Sequence, residues 1–452
     1  MREIKMDETI GKSFVRLDAI LKGAESSDTD IVRAARVSTG RHLEDVTDEK
    51  LKGMVNFLYR DHHLTPFQKI VFRFHVKASI RTARQFFCVL FSSHNEFSGR
   101  YSIFPENDFY VPSLYSPGIQ EIVRSSQNRA YKNYRNLLEA GVAKEQARLA
   151  LPYSFFTQFY WTVDLRTLFE FFDAAEVNQN CETEDFQTLL ARLKEVVAGQ
   201  APVAYETYQR WNDENQTRKC EWAAVLKSRV GPSDKRCEKE KILGGFVGLR
   251  EISGDAGMIV KCLSDRFSPD RALDQMIVHW DLEVPIFVWR QLVRHRKGYP
   301  AEIGDDFEGV LERQRLYIPA IFRSQKGKVG HYEFEIFSGE ENLRVWRILN
   351  DSQEKSIEEA KHLLEETGSL EDASLLLPYA FYTRVSWVTP LSSLTNVFLL
   401  RLDSHTQWET GQYVRAMYRL FKAKEPLLAE IIENYFWPKF WRSKSFPLLD
   451  RF

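Results

Sequence analysis

The chain is written twice, and that duplication limits what it can fold into more than any single motif does. LALPYSFFTQFYWTVDLRTLFEFF (149–172) and LLLPYAFYTRVSWVTPLSSLTNVF (375–398) align without a gap. They match at ten of 24 positions, among them Pro152, Tyr153, Phe155, Trp161 and Leu165. Two unrelated units do not share a register in this way. A second pair, IVFRFHVKASIRTARQFF (70–87) and MIVHWDLEVPIFVWRQLV (276–293), is offset by 206 residues where the first pair is offset by 226. The second copy therefore carries about 20 extra residues between the blocks, expected in the polar, Gly-containing segment 322–342.

Both copies switch period at the same place. Phe72, Phe74 and Val76 align with Val278, Trp280 and Leu282, an apolar alternation that predicts strands. A helical spacing then takes over and ends in Arg84-Gln85 and Arg290-Gln291. On the opposite strand face Arg73, His75 and Lys77 align with His279, Asp281 and Glu283. The inverted charges fit two strands facing each other across a pseudo-two-fold axis, or equally two separately solvated faces. The segments 128–141 and 356–368 have helical spacing and end at Gly141 and Gly368. The fold class expected is α+β: two tandem copies forming an internal pseudo-dimer, with domains at 1–226 and 246–452 joined by the charged, Gly- and Pro-containing segment 227–245.

Composition narrows the setting. Lys and Arg (62) balance Asp and Glu (63), so no overall positive field points to nucleic acid, and any anion site is local. The start, MREIKMDETIGKSF, has no apolar leader core and no stretch is long enough to span a bilayer, so the expected setting is cytoplasmic. Cys88, Cys181, Cys220, Cys237 and Cys262 are odd in number and lack a C-x-x-C pair. Neither a disulfide framework nor a metal site is indicated, and buried, reduced thiols are expected.

Two runs carry chemistry. Arg290-Gln-Leu-Val-Arg294-His295-Arg296 ends an apolar helix in three consecutive cationic or titratable side chains, which face water or an anion. NEFSGRYS (95–102) offers a hydroxyl, an approachable glycine backbone and a guanidinium fork, a combination suited to a phosphate or a carbonyl-rich base. No G-x-G-x-x-G or Walker sequence is present, which argues against Rossmann and P-loop sites.

Together these runs resemble the flavin-dependent thymidylate synthases, whose signature is an R-H-R followed after seven residues by Ser. The likeness extends through DHHLTPFQKIVFRFHVKASIRTARQFF, ARLALPYSFFTQFYWTVDLRTL and LRLDSHTQWE. Each main element survives once per chain. The first copy keeps Glu96, Ser98, Gly99 and Arg100 but has Cys88, Val89 and Leu90 at the R-H-R positions. The second keeps Arg294, His295, Arg296 and Glu302 but has Gly304 and Asp306 at the Ser and Arg positions. Arg148 is kept where the second copy has Ser374, and Arg401 and His405 where the first has Ala175 and Gln179. His63, Thr65 and Arg166 survive only in the first copy, and Asn396 only in the second.

The resemblance implies reductive methylation of dUMP to dTMP, with FAD as cofactor and NADPH and methylenetetrahydrofolate as co-substrates. It implies catalytic roles for Arg294 and Arg401. Gln85, Glu96, Ser98, Gly99, Arg100, Arg148, Gln291 and Glu302 would hold the substrate. His63, Thr65, Arg166, His295, Arg296, Asn396 and His405 would hold the flavin. Complementary halves would complete one composite site in a homodimer that forms a pseudo-tetramer, with small molecules rather than nucleic acid or membrane as partners. The alternatives are a diverged flavoenzyme acting at C5 of another pyrimidine nucleotide, and a non-catalytic nucleotide-binding or scaffold protein.

Overall fold

The computed structural model describes residues 12–23, 26–41, 46–104, 107–177, 183–212, 237–254, 259, 273–295, 299–302, 307–313, 315–328, 331–403 and 406–433. Two antiparallel sheets organise them. The first has the order β1 (Phe14–Leu21), β2 (Val71–Ser79), β4 (Phe156–Asp164), β3 (Ser92–Glu96). The second has the order β5 (Glu238–Ile242), β6 (Gly245–Ser253), β7 (Ile277–Pro285), β11 (Tyr382–Pro390), β8 (Tyr299–Glu302). Apart from β5 the two are copies: β1, β2, β4 and β3 correspond to β6, β7, β11 and β8. Even the irregularities repeat. The β1–β2 register slips between Leu17 and Ala19, opposite Phe74 and Arg73, and the β6–β7 register slips between Leu249 and Glu251, opposite Trp280 and His279. A bulge kept at one aligned position in both copies is a designed bend.

The apolar strand face behaves as expected. Phe72, Phe74, Val76, Val278, Trp280 and Leu282 are completely buried, each large side chain contributing about 1.5–3 kcal/mol of transfer free energy. Helices follow at the switch of period, Ile80–Phe87 after β2 and Ile286–Leu292 after β7. Ser79 caps the first, its Oγ accepting from Thr82 N at 3.1 Å. The helices Pro117–Glu139 and Gly339–Thr367 stop before Gly141 (φ 84°) and Gly368 (φ 66°), left-handed positions that only glycine adopts without cost.

The polar strand face departs from expectation. Lys77 and Asp281 are each 1% exposed. Each is neutralised inside its own unit: Lys77 pairs with Asp108 at 2.5 Å, and Asp281 accepts from Arg384 at 3.1 Å and pairs with Arg250 at 3.3 Å. Burial raises the Asp281 pKa, and Arg384, Lys239 and Arg250 outweigh it and hold the carboxyl below its ordinary value. The inverted charges thus need no partner on the other repeat's strand.

The extra residues of the second copy form a hairpin, β9 (Arg323–Lys328) and β10 (His331–Ile336), the separate two-stranded sheet of the fold. In the charged segment 227–245, residues 238–242 are an edge strand rather than linker, and 227–236 lie outside the described residues. Alternating Glu and Lys along β5 keeps this edge from pairing with another chain.

Compact units do not follow the repeats. One comprises Met1–Lys132, Leu151–Ser233 and Lys355–Leu377; the other comprises Asn133–Ala150, Asp234–Glu354 and Pro378–Phe452. Each unit therefore contains a segment of the other repeat. In the first, Tyr153 N and Ser154 N donate to Leu377 O (2.8 Å) and Leu375 O (3.0 Å). In the second, residues 142–146 of the first repeat lie along β9, with a bridge between Val142 and Ser324.

Candidate functional site

In the second unit the Arg-Gln helix Ile286–Leu292 is buried on six of its seven residues, which fixes where its end emerges. His295 N donates to Leu292 O at 3.0 Å, tightening the last turn. Arg294 is exposed, His295 is 7% exposed, and Arg296 lies outside the described residues. Arg401, the last residue of the helix Leu391–Arg401, donates through Nε to His295 Nε2 at 3.2 Å and through Nη2 to Gln291 O at 3.3 Å. Burial, with the adjacent Arg401 guanidinium, depresses the His295 pKa to about 3. The imidazole is therefore neutral at physiological pH. Its Nε2 accepts from Arg401, so its proton sits on Nδ1.

A buried amide joins this pair to the first repeat. Gln407 is completely buried, and its Oε1 accepts from Gln291 Nε2 at 2.9 Å and from Arg148 Nη2 at 2.8 Å. Two donors on one oxygen fix the amide orientation. Its Nε2, by contrast, has no hydrogen-bond partner among the described residues. The Tyr379 ring lies 5.6 Å from the Arg148 guanidinium and 5.9 Å from that of Arg290. Guanidinium groups, a neutral histidine and a spare amide donor make a site for oxygen-rich, anionic ligands. Glu302 ends β8 at the register position that Glu96 occupies on β3, Val385 being its partner on β11 as Phe159 is on β4. Asn396 is exposed on the helix Leu391–Arg401, and His405 lies outside the described residues.

The first unit holds the complementary residues. Glu96 Oε1 accepts from Thr157 Oγ1 at 2.8 Å. The chain then turns on Ser98, whose carbonyl accepts from Tyr101 N (3.0 Å) and Ser102 N (2.9 Å) while its Oγ accepts from Arg100 N (3.4 Å). Gly99 has a packing reason: a Cβ there would stand 2.4 Å from the Phe104 ring. His63 is exposed beside the Phe57 ring (5.9 Å), and Thr65 opens the short turn Thr65–Lys69. Arg166 pairs with Glu170 at 2.8 Å, and Glu170 is the residue aligned with Asn396.

Among the described residues, Gln85 does not sit in a polar network like that of Gln291. It lines a cavity of about 300 Å³ with Cys88, Val89, Leu90 and Ala175. These occupy the positions of Arg294, His295, Arg296 and Arg401, so uncharged residues stand where the second copy has its arginines and histidine; Thr167 and Glu170 also line the cavity. Cys88 and the other described cysteine, Cys237, are partly exposed rather than buried. Ser374, aligned with Arg148, accepts from Arg81 Nε at 3.1 Å.

The thymidylate synthase complementing protein model matches residues 19–203 and again 207–427. The chain belongs to this family. Its thymidylate synthase complementing domain is present in tandem. A flavin-dependent thymidylate synthase of Thermotoga neapolitana is 37% identical over 211 residues, 45% of this chain and 93% of the relative. One from Thermus thermophilus is 36% identical over 216 residues, 44% of this chain and 77% of the relative. A solved UMP/dUMP methylase, PolB from Streptomyces cacaoi with bound 5-Br dUMP, aligns with a TM-score of 0.38 and 26% identity, covering 44% of this chain and 96% of that one. Within this tandem family member, reasoning from sequence missed Gln407, Tyr379 and Arg290 as parts of the network. Gln407 lies inside the LRLDSHTQWE run, two residues after His405, and nothing adjacent in sequence marks it as the acceptor of Arg148 and Gln291.

Proposed function

We propose that the chain is a flavin-dependent thymidylate synthase that converts dUMP to dTMP, and that both repeats contribute residues to its site. One observation carries this reading: the hydrogen-bonded run Arg148–Gln407–Gln291–Arg401–His295. It joins an arginine kept only in the first repeat to an arginine and a histidine kept only in the second. Decay without function has no reason to leave these groups in contact.

The donor set fits both ligands. The arginines, with the unpartnered Gln407 Nε2, suit the phosphate and carbonyls of dUMP, with Arg148 and Gln291 on the substrate side. Neutral His295 keeps an N–H donor on Nδ1 without adding a buried charge, which suits the carbonyl and nitrogen edge of a flavin ring. His63, Thr65, Arg166, Arg296, Asn396 and His405 are assigned to the flavin, and Gln85, Glu96, Ser98, Gly99, Arg100 and Glu302 to the nucleotide. When bound, FAD supplies the redox chemistry that takes hydride from NADPH and passes the one-carbon unit of methylenetetrahydrofolate to uracil C5. The chain's own contribution is electrostatic. Arg294 places fixed positive charge where enolate charge develops on the uracil, making C5 nucleophilic without a cysteine. Arg401 holds His295 in one tautomer and anchors the carbonyl of Gln291. No described helix is long and apolar enough to cross a membrane.

Tritium release from C5-tritiated dUMP, with FAD, NADPH and methylenetetrahydrofolate, tests the reading. Release by the wild type that falls at least a hundredfold in both Arg294→Ala and Arg100→Ala supports one site drawing on both repeats. A folded, flavin-loaded protein that releases no tritium overturns it.

A further inference from the structure

We propose that the β9–β10 hairpin, which among the described residues only the second repeat carries, and Arg323 at its first residue form the device that positions Arg148. The proposal rests on the assignment of Arg148 to the nucleotide site. Four backbone or amide hydrogen bonds lay residues 143–146 along β9. Ala143 N donates to Arg323 O (2.7 Å), Arg323 N to Gln146 Oε1 (2.9 Å), Lys144 N to Gln325 Oε1 (3.3 Å) and Gln146 Nε2 to Ile321 O (3.0 Å). Gln146 is completely buried, so its two bonds cannot be exchanged for water without opening the segment.

The guanidinium of Arg323 then ties both sides of the site together. It donates to Glu145 Oε1 from Nη2 (2.6 Å) and Nε (3.2 Å), and from Nη2 to Glu409 Oε2 (3.2 Å). Both carboxylates are 1% exposed. Burial would lower the Arg323 pKa, but Glu409 and Glu145 outweigh it, so the arginine stays charged. Glu145 stands three residues before Arg148, and Glu409 two residues after Gln407, the acceptor of Arg148. One side chain thus sets the distance between the segment that carries Arg148 and the helix Trp408–Lys424 that follows Gln407. Hairpin and arginine go together: the unit whose sheet belongs to the repeat without the hairpin has Ser374 in place of Arg148.

Arg323 is therefore a positioning residue, and the alternative is that it only staples the fold. The two are separated by calorimetric binding of dUMP and by steady-state kinetics on the full chain. Arg323→Met should weaken dUMP binding and raise KM about tenfold or more, with kcat within roughly twofold and flavin content unchanged. Arg323→Lys should recover part of the loss. On an Arg148→Ala background Arg323→Met should add nothing, because its effect runs through Arg148. Lys326→Ala with Glu335→Ala, at the exposed pair on the same hairpin, should leave binding unchanged. If Arg323→Met does not fold, Glu145→Gln/Arg323→Met/Glu409→Gln leaves no unpaired buried charge and carries the same expectation. Unchanged dUMP affinity, losses that add to those of Arg148→Ala, or a fall in kcat and flavin content alone would overturn the proposal. A wild-type protein that binds no dUMP would instead overturn the nucleotide reading on which it rests.

Discussion

His295 should make stability depend on pH, and the size of the effect follows from its surroundings. Its pKa falls from 6.5 to about 3 on folding, burial being the larger cause and the Arg401 guanidinium the second. Between those values the unfolded chain binds a proton that the folded chain refuses, so stability is complete above pH 6.5 and is lost as pH falls toward 3. The loss is about 1.4 kcal/mol per pH unit inside the window, or about 2 kcal/mol between pH 7 and pH 5. Carboxylates with raised pKa values, the buried Asp185 and the half-buried Asp164 among them, have the opposite sign, so the wild-type curve alone does not isolate the histidine. The measurement is urea unfolding of the wild type and His295→Gln at several pH values. Their difference should shrink by about 2 kcal/mol from pH 7 to pH 5, because glutamine keeps its amide and loses the titration. In Arg401→Met the slope should weaken without vanishing, since burial remains. Parallel wild-type and His295→Gln curves would refute the buried neutral imidazole, and with it the tautomer assigned to the site.

Two substitutions probe the first unit. Gly99→Ala puts a methyl against the Phe104 ring and should cost about 1–3 kcal/mol in thermal or urea unfolding, with Phe104→Leu in the same chain recovering part of it. Lys77→Ala should cost about 3 kcal/mol or more, from lost packing over Phe156 and the loss of the ammonium beside the partly buried Asp108, and Lys77→Met/Asp108→Leu should regain most of that stability.

What the sequence made legible were the features set by neighbours along the chain. Alternation at 70–79 and 276–285, the switch to helix, the terminating glycines and the site of the insertion are all local signals. What escaped depends on partners far away in sequence. Nothing near Lys77 announces Asp108, and nothing near Asp281 announces Arg384, so two buried ion-paired side chains read as a solvated strand face. Gly99 was open to a functional reading, and only the packed structure shows Phe104 against its missing side chain. The exchange of segments was unreadable for a deeper reason: two similar repeats offer each segment two similar docking surfaces. The choice is made by contacts such as those of residues 143–146 with β9, which belong to the insertion.

That exchange changes the meaning of the alternating losses. Counted by repeat, the family's residues vanish now from one copy, now from the other: Cys88, Val89, Leu90 and Ala175 in the first, Ser374 in the second. Counted by compact unit, these five fall together, because Ser374 lies in Lys355–Leu377, within the unit that also holds Cys88 and Ala175; the losses at Gly304 and Asp306 fall in the other unit, opposite the Ser98 and Arg100 kept in the first. Arg148, Gln291, Arg294, His295 and Arg401 fall together in the other unit. Selection on a folded protein acts on residues that meet in space, so a constraint lifted from one constellation frees all its members at once, whichever repeat encodes them. The cavity beside Cys88 and the Arg81–Ser374 hydrogen bond fit such a release. The network around Gln407 is what a retained constraint would leave, as the proposed function requires. Restoring a single arginine at position 374 should therefore not restore a second site, since the other members of its constellation are gone.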